Sequence, residues 1–198
     1  MGNKYKYLGI LVILGFFMSM NANARGMYYN IAYNTARALA QSAWDNLKDG
    51  SDGCATRIDQ FRKIVDKNVK VAIRSIGTDY KGPAAEDFGL GYINGLRDGL
   101  DGPIGDCNSE CEMLGDALGG WAAQLFCDVG DAIGHAPTFT TRIANIDGGI
   151  CGRAYRKGCH GNFARTAKNM CPAYTRNKSA FRDYYRGNKG GACGYDPS

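Results

Sequence analysis

The sequence lacks the short motifs that mark the common enzyme classes. It contains no Gly-x-Ser-x-Gly nucleophile elbow, His-Glu-x-x-His zinc helix, phosphate-binding loop or dinucleotide fingerprint. Glutamate occurs only three times in 198 residues, and there are two histidines and five prolines. Strand-like alternation is nearly absent, and no proline-rich or serine-rich linker divides the chain. These absences argue against motif-bearing enzymes and favour one mainly helical domain.

The first residues have the composition of a secretory signal. Two lysines precede an apolar run over residues 8–20, and a small-x-small processing pattern ends at Ala24. The apolar run is shorter than the ~20 residues that span a bilayer. We therefore predict that residues 1–24 are a cleaved signal peptide. The mature chain, residues 25–198, is then secreted or periplasmic and has no transmembrane segment.

The cysteines support export, because all eight lie after the predicted cleavage site. An even number in an exported chain predicts four disulfides, although the sequence does not decide their connectivity. We expect the last four to pair mostly among themselves. A zinc site that uses His160 is the alternative, but the spacing there lacks the close cysteine pair of structural zinc sites, so no metal or other cofactor is expected. The cysteines are Cys54, Cys107, Cys111, Cys127, Cys151, Cys159, Cys171 and Cys193.

Helical periodicity recurs in the first half of the mature chain. Apolar residues three and four apart predict helices over 27–47 and 56–76. A bridge at Cys54 would fix the start of the second helix, and Gly77 is placed to cap its end. Pro83 suits the first turn of a third helix.

A double glycine interrupts the next helical stretch. We predict that Gly119-Gly120 breaks it into helices over 108–118 and 121–134, which would allow Cys111 and Cys127 to approach each other. Only short helices, over 161–170 and 178–186, are expected in the C-terminal region.

Three glycines in the third helix recur at every fourth residue. Gly91, Gly95 and Gly99 would give this helix a face without side chains, although each glycine costs a helix about 0.5–1 kcal/mol relative to alanine. Such a face needs compensation by unusually close packing. The partner is either another helix of the same chain or a helix of a binding partner.

Charge is segregated along the mature chain. Residues 25–76 hold nine Lys or Arg against five Asp, a net charge of +4. Residues 77–141 hold two basic against eleven acidic residues, a net charge of −9, and residues 142–198 hold eleven basic against three acidic residues, a net charge of +8. The acidic middle either docks against the basic flanks within the monomer or faces other copies in self-assembly.

Aromatic and basic residues alternate near the C-terminus, a pattern that suits contact with anionic polymers. For an exported protein, the expected partner is another envelope or extracellular protein or an anionic envelope polymer, and nucleic acid is not the expected target. The predicted binding residues, besides the glycine face, are Arg156, Lys157, Arg165, Arg176, Arg182 and Arg186.

Few residues are suited to acid–base chemistry. Glu110, Glu112 and His160 are the candidates for a hydrolase that works with carboxylates or a histidine base. The two glutamates also suit a helix N-terminus, and His135 suits a helix C-terminus, so each has a purely structural explanation.

The sequence thus predicts a mainly α, compact, disulfide-stabilised helical domain over residues 25–198, with an irregular, bridge-rich and basic region over 142–198. The predicted function is that of an exported, non-enzymatic binding or assembly protein of the cell envelope or extracellular space. It would act through the basic surface and the glycine-lined helix face. The alternative is a secreted hydrolase directed at cell-wall or other glycans.

Overall fold

The structure is a computed structural model that describes residues 24–134, 137, 150–171 and 193. In this part the chain forms five long α-helices, one short α-helix, one 3-10 turn and no β-strand, which confirms the predicted compact, mainly helical fold. All but the last residue of the predicted signal peptide lie outside it. The helices are α1 (Ala24–Asp45), α2 (Cys54–Ser75), α3 (Pro83–Asp98), α4 (Asp101–Asp106), α5 (Cys111–Ile133) and α6 (Ile150–Met170).

Several helix boundaries follow from local sequence. Gly77, two residues after the last residue of α2, has φ +86°, a backbone conformation that residues with a side chain rarely adopt. Pro83 is the first residue of α3, where its missing N–H does not interrupt a helical hydrogen bond. Gly134 ends α5 in the left-handed conformation, with its N–H donating to the carbonyl of Gly130.

Two pairs of helices pack with almost no space between their backbones. In the first pair, a Cβ added to Gly95 of α3 would overlap the carbonyl oxygen of Tyr33 on α1. In the second pair, a Cβ added to Gly119 of α5 would overlap the carbonyl oxygen of Cys159 on α6. Glycine is therefore required at both contacts, because a backbone oxygen cannot rotate away as a side chain can.

Helix α2 lies against both pairs and joins them through aromatic side chains. The Phe61 ring of α2 is 5.9 Å from the Trp44 ring of α1 and 6.3 Å from the Trp121 ring of α5, both in edge arrangements. All three side chains are buried. Each contributes about 1.5–3 kcal/mol or more through burial, so this column is a main part of the core.

The predicted break at Gly119-Gly120 is wrong, because α5 continues without interruption from Cys111 to Ile133. Both glycines are buried against α6, where Gly119 meets the backbone of Cys159 and Gly120 meets the side-chain amide of Asn162. Tertiary packing at these positions outweighs the low helix propensity of glycine.

The predicted pairing of the last four cysteines among themselves is also wrong. Only one bridge, Cys159–Cys193, joins two of them, and the other two cysteines of that group bond to α5. The predicted approach of Cys111 and Cys127 does not occur, because an unbroken helix holds them far apart. The described bridges are Cys54–Cys107, Cys111–Cys151, Cys127–Cys171 and Cys159–Cys193, and every cysteine takes part.

Helix α6 is longer than the helix predicted over 161–170. It begins at Ile150, and its N-terminal half packs against the start of α5, where Gly158 meets the backbone of Glu112. Glycines weaken the local helix signal in this half, whereas close packing and two bridges to α5 stabilise it. The helix predicted over 178–186 lies outside the described residues.

Candidate interaction surface

Charged side chains of the basic flanks meet the acidic middle of the chain at Asp116 of α5. Arg62 of α2 approaches its carboxylate at 3.1 Å, and Arg165 of α6 approaches it at 3.2 Å. Asn162 donates to both the backbone carbonyl and the carboxylate of Asp116, at 2.6 and 3.2 Å. This partly buried carboxylate therefore links three helices.

A second ion pair joins the first turn of α5 to the first half of α6. The Nζ of Lys157 lies 3.0 Å from a carboxylate oxygen of Glu112, and both side chains are exposed. Exposed pairs of this kind contribute about 0–1 kcal/mol, so this one orients the helices more than it stabilises them. Together with Asp116 it shows that oppositely charged segments meet within the chain.

A polar cluster lies between α1 and α3. The guanidinium of Arg97, only 8% exposed, is 2.8 Å from the carboxylate of Asp98, which also accepts a 2.9 Å hydrogen bond from the Tyr33 hydroxyl. Burial, and then the hydrogen bond to Asp98, raise the pKa of Tyr33, so this phenol remains a donor over the physiological pH range. Burial likewise raises the pKa of Tyr155, whose hydroxyl finds no hydrogen-bond partner among the described residues.

The exposed side of α2 carries a row of cations. Lys63, Lys67, Lys70 and Arg74 follow one another at spacings of three and four residues, so they share one side of the helix over about 16 Å. This side lies opposite the buried stripe, whose members are Ile58, Phe61, Val65, Val69 and Ala72. All four cations are exposed. We call them the α2 cationic face.

The α2 cationic face has little internal compensation. Of these four cations, only Lys63 has an ion-pair partner among the described residues, and this partner is Asp59 of the same helix at 2.6 Å. Ile64 and Val71 flank the row and are 37% and 57% exposed. These cations form the polar side of an amphipathic helix, and no other helix of the described part of the chain covers them.

Half of the predicted basic binding residues lie in the described part of the chain, all on α6. Arg156 is half-buried, whereas Lys157 and Arg165 are exposed but occupied by the ion pairs with α5. The other three predicted basic residues, Arg176, Arg182 and Arg186, lie outside the described residues.

The predicted glycine face is filled by α1. Gly91 and Gly95 contact the backbone at Tyr29 and Tyr33, and a Cβ on Gly99 would lie 2.5 Å from the Cβ of Ala40. The structure thus has the intramolecular arrangement, with a helix of the same chain as the close neighbour. A partner's helix has no room in this groove while α1 occupies it.

The candidate catalytic residues sit near the start of α5 and on α6. Glu110 is half-buried in the short 3-10 turn that precedes α5, and His160 is half-buried on α6. Glu112 is paired with Lys157, which gives it a role in docking α6 onto α5. His135 lies outside the described residues. The hydrolase alternative stays a prediction.

The described residues provide neither a metal-binding cluster nor a membrane-spanning helix. The described residues contain no group of three or more His, Cys, Asp or Glu side chains that could hold a metal ion. None of the helices they form is long and apolar enough to cross a membrane. The chain matches no protein-family model, no curated protein and no solved structure.

Proposed function

We propose that this chain is an exported binding protein without enzymatic activity, and that it captures an anionic macromolecule of the cell envelope or its exterior. The observation that carries the proposal is the α2 cationic face, with four exposed cations in a row and one ion-pair partner among the described residues. The four disulfides are consistent with maturation in an oxidising compartment.

The spacing of the cations suits an extended anionic partner. Neighbouring charges on the α2 cationic face are about one helical turn apart, which is less than the Debye length of ~8 Å at physiological ionic strength, so their fields add. Val71 and Ile64 offer apolar contact beside the charges. A surface of this kind attracts its partner at long range and loses affinity as salt rises.

The basic residues of α6 support this proposal less strongly, because two of them are engaged in ion pairs with α5. Lys157 and Arg165 would have to leave Glu112 and Asp116 before they could bind a partner with full charge. The basic residues beyond α6, with Arg176, Arg182 and Arg186 among them, are proposed as a second contact. The α2 cationic face is proposed as the first.

Charge reversal tests the proposal with defined probes. We would immobilise polyglutamate and, separately, vesicles that contain phosphatidylglycerol, and measure binding of the wild-type protein at about 50 mM and about 500 mM salt. Binding should be detectable at low salt and lost at high salt. The Lys67→Glu/Lys70→Glu/Arg74→Glu variant should bind at least about ten-fold more weakly at low salt.

The matched control carries the same change in net charge at a different place. Arg176→Glu/Arg182→Glu/Arg186→Glu should retain most of the binding, and circular dichroism should show that both variants are folded. If only this second variant loses binding, the C-terminal surface is the working one and the α2 cationic face is not. If both variants lose binding equally, net charge alone determines binding, and the proposed role of the α2 cationic face is wrong. No binding by the wild-type protein to either probe would refute the proposed function.

A further inference from the structure

The guanidinium of Arg57 lies against the disulfide that joins Cys54 to Cys107. Its Nη2 is 3.3 Å from the sulfur of Cys54 and 3.5 Å from the sulfur of Cys107. One permanently charged group therefore faces both sulfur atoms of the bridge. The carbonyl oxygen of Asp106, at 3.6 Å from the Cys54 sulfur, is farther away.

Arg57 is held in this position by contacts on its other sides. Its Nη1 donates to the carbonyl oxygen of Lys48, and its guanidinium carbon lies 5.4 Å from the centroid of the Trp44 ring. Trp44 is itself fixed, because its indole N–H donates to the carboxylate of Asp106 at 2.6 Å. The cation therefore needs little rearrangement to stabilise a thiolate at either sulfur.

Helix α2 provides a second source of thiolate stabilisation. Cys54 is the first residue of this helix of 22 residues, so its sulfur lies at the positive end of the helix dipole. A cysteine beside a guanidinium and at a helix N-terminus is in the setting that favours thiolates in redox proteins. Arg57 assists the departure of either sulfur, and the start of α2 assists the step in which Cys54 leaves as a thiolate, because a stabilised thiolate is a better leaving group.

The bridge can also be reached from solvent. Cys54 is half-buried, whereas its partner Cys107 is 1% exposed. An incoming thiol therefore approaches the bridge from the side of Cys54 more readily than from the side of Cys107. The bridge Cys159–Cys193 differs, since both cysteines are buried.

The bridge Cys111–Cys151 provides the informative contrast. It too lies at helix N-termini, because Cys111 is the first residue of α5 and Cys151 is the second residue of α6. Cys151 is half-buried, so exposure does not separate this bridge from Cys54–Cys107. The sulfur of Cys111, however, is 3.1 Å from the carbonyl oxygen of Asn108, which disfavours a thiolate there.

We propose that Cys54–Cys107 is a thiol–disulfide exchange site whose reaction partner is an external thiol, such as a small-molecule thiol or the dithiol of an oxidoreductase. The thiolate of the partner attacks the sulfur of Cys54, a mixed disulfide forms at Cys54, and Cys107 leaves as a thiolate beside Arg57. A second thiol of the partner then attacks the mixed disulfide and releases Cys54. The protein bridge is reduced by two electrons, and two partner thiols are oxidised to one disulfide.

This reaction would free the start of α2 from the turn between α4 and α5. The bridge spans 53 residues of sequence, and its opening leaves the other three bridges in place. The inference does not depend on the proposed binding function, because its readout is the chemistry of one bridge.

Differential alkylation tests the order of reduction. The purified, fully oxidised protein would be treated with a dithiol for increasing times, quenched with an alkylating agent and mapped by peptide mass spectrometry. Cys54 and Cys107 should be labelled first. In Arg57→Gln the rate at this bridge should fall about three- to ten-fold, and Arg57→Lys should recover part of it. Arg62→Gln, a change on the same helix away from the bridge, should leave the rate unchanged.

A second measurement addresses the thiolate directly. In Cys107→Ser, which leaves Cys54 as a free thiol, the pH midpoint of the Cys54 alkylation rate should lie below the ~8.5 of an ordinary cysteine, and Arg57→Gln should shift it upward. The proposal fails if another bridge opens first, if Arg57→Gln does not slow the reduction, or if the midpoint lies at 8.5 or higher.

Discussion

The two close helix pairs of this molecule both bring their backbones together at glycines, but they differ in the interactions that hold the helices in place. In both pairs glycines remove the side chains that would otherwise separate the helices, as Gly95 does between α3 and α1 and Gly119 does between α5 and α6. The α5–α6 pair is crosslinked by Cys111–Cys151 and Cys127–Cys171. Among the described disulfides none joins α1 to α3.

The α1–α3 pair is held by noncovalent contacts. The Tyr33 hydroxyl donates to Asp98, and the Asn94 amide donates to the Tyr29 hydroxyl at 3.1 Å. Helix α1 also packs against α2 and α4, so it buries apolar surface against several neighbours. Helix α6 contacts mainly α5 among the described elements. In both pairs glycine sets the distance between the helices, and the covalent crosslinks are found on α6, the helix with fewer neighbours.

Alanine at the central glycine of either helix pair should have the largest effect on stability. Gly95→Ala and Gly119→Ala each place a methyl group in the space of a backbone carbonyl that cannot rotate away, so each should lower the free energy of unfolding by about 4 kcal/mol or more, above the ordinary cost of overpacking. Helix α1 can move away from α3, whereas the two bridges keep α6 near α5. We therefore expect Gly119→Ala to be the more damaging change in urea titrations.

The control for this experiment is a glycine in open space. Gly161 of α6 has no atom within 4 Å of an added Cβ, so Gly161→Ala should raise stability by about 0.5–1 kcal/mol through helix propensity alone.

In a Cys127→Ala/Cys171→Ala background the difference between the Gly95 and Gly119 variants should shrink. If the stability difference between the two variants is the same with and without this bridge, the crosslinks are not what prevents α6 from moving away from the added methyl group.

Removal of one crosslink should have the next largest effect. The Cys127–Cys171 bridge joins cysteines 44 residues apart, and Cys127→Ala/Cys171→Ala should lower the free energy of unfolding by about 2–4 kcal/mol. Hydrogen exchange should show lost protection in the last turns of α6 and retained protection in α1 and α3. The matched variant Cys54→Ala/Cys107→Ala should instead expose the start of α2. Equal loss of protection in both helix pairs would contradict the separate roles proposed for them.

Apolar spacing and the glycine and proline at helix ends predicted those helices that are determined by residues close together in sequence. The apolar stripe of α2, the cap at Gly77 and the start at Pro83 could all be read from the sequence, because propensity and solvent exposure act over one or two turns. The cations of α2 occupy the side of the helix opposite this stripe, so their common side follows from the same spacing. The availability of the α2 cationic face to a partner does not follow from the spacing, since it depends on where the other helices pack.

Long-range features could not be derived in this way. The double glycine in α5 resembles a helix break until Cys159 and Asn162 of α6 are seen against it. The disulfide connectivity depends on α6 lying along α5, which brings Cys151 and Cys171 to that helix instead of to each other. The contact of Arg57 with Cys107 crosses 50 residues of sequence and leaves no local pattern.

The smallest expected effect concerns two carboxylates on α5, the central helix of the crosslinked pair. Asp116 is paired with Arg62 and Arg165, whereas burial, and secondly the nearby Asp131, raise the pKa of Asp128 to about 6. Ionisation of Asp128 therefore opposes folding. Since the unfolded value is ~3.9, the folded state binds this proton more tightly, and the free energy of unfolding falls as pH rises from about 4 to about 6.

Neutral substitutions at these two positions should consequently change stability in opposite directions. Asp128→Asn removes a carboxylate that is costly when charged, so it should stabilise the protein near neutral pH and flatten the slope between about pH 4 and about pH 6. Asp116→Asn removes the anion that joins three helices, so it should destabilise the protein near neutral pH. Urea titrations across this pH range separate the two carboxylates. An unchanged slope in Asp128→Asn would mean that another group produces it, and that pairing, not burial, governs the charged residues of α5.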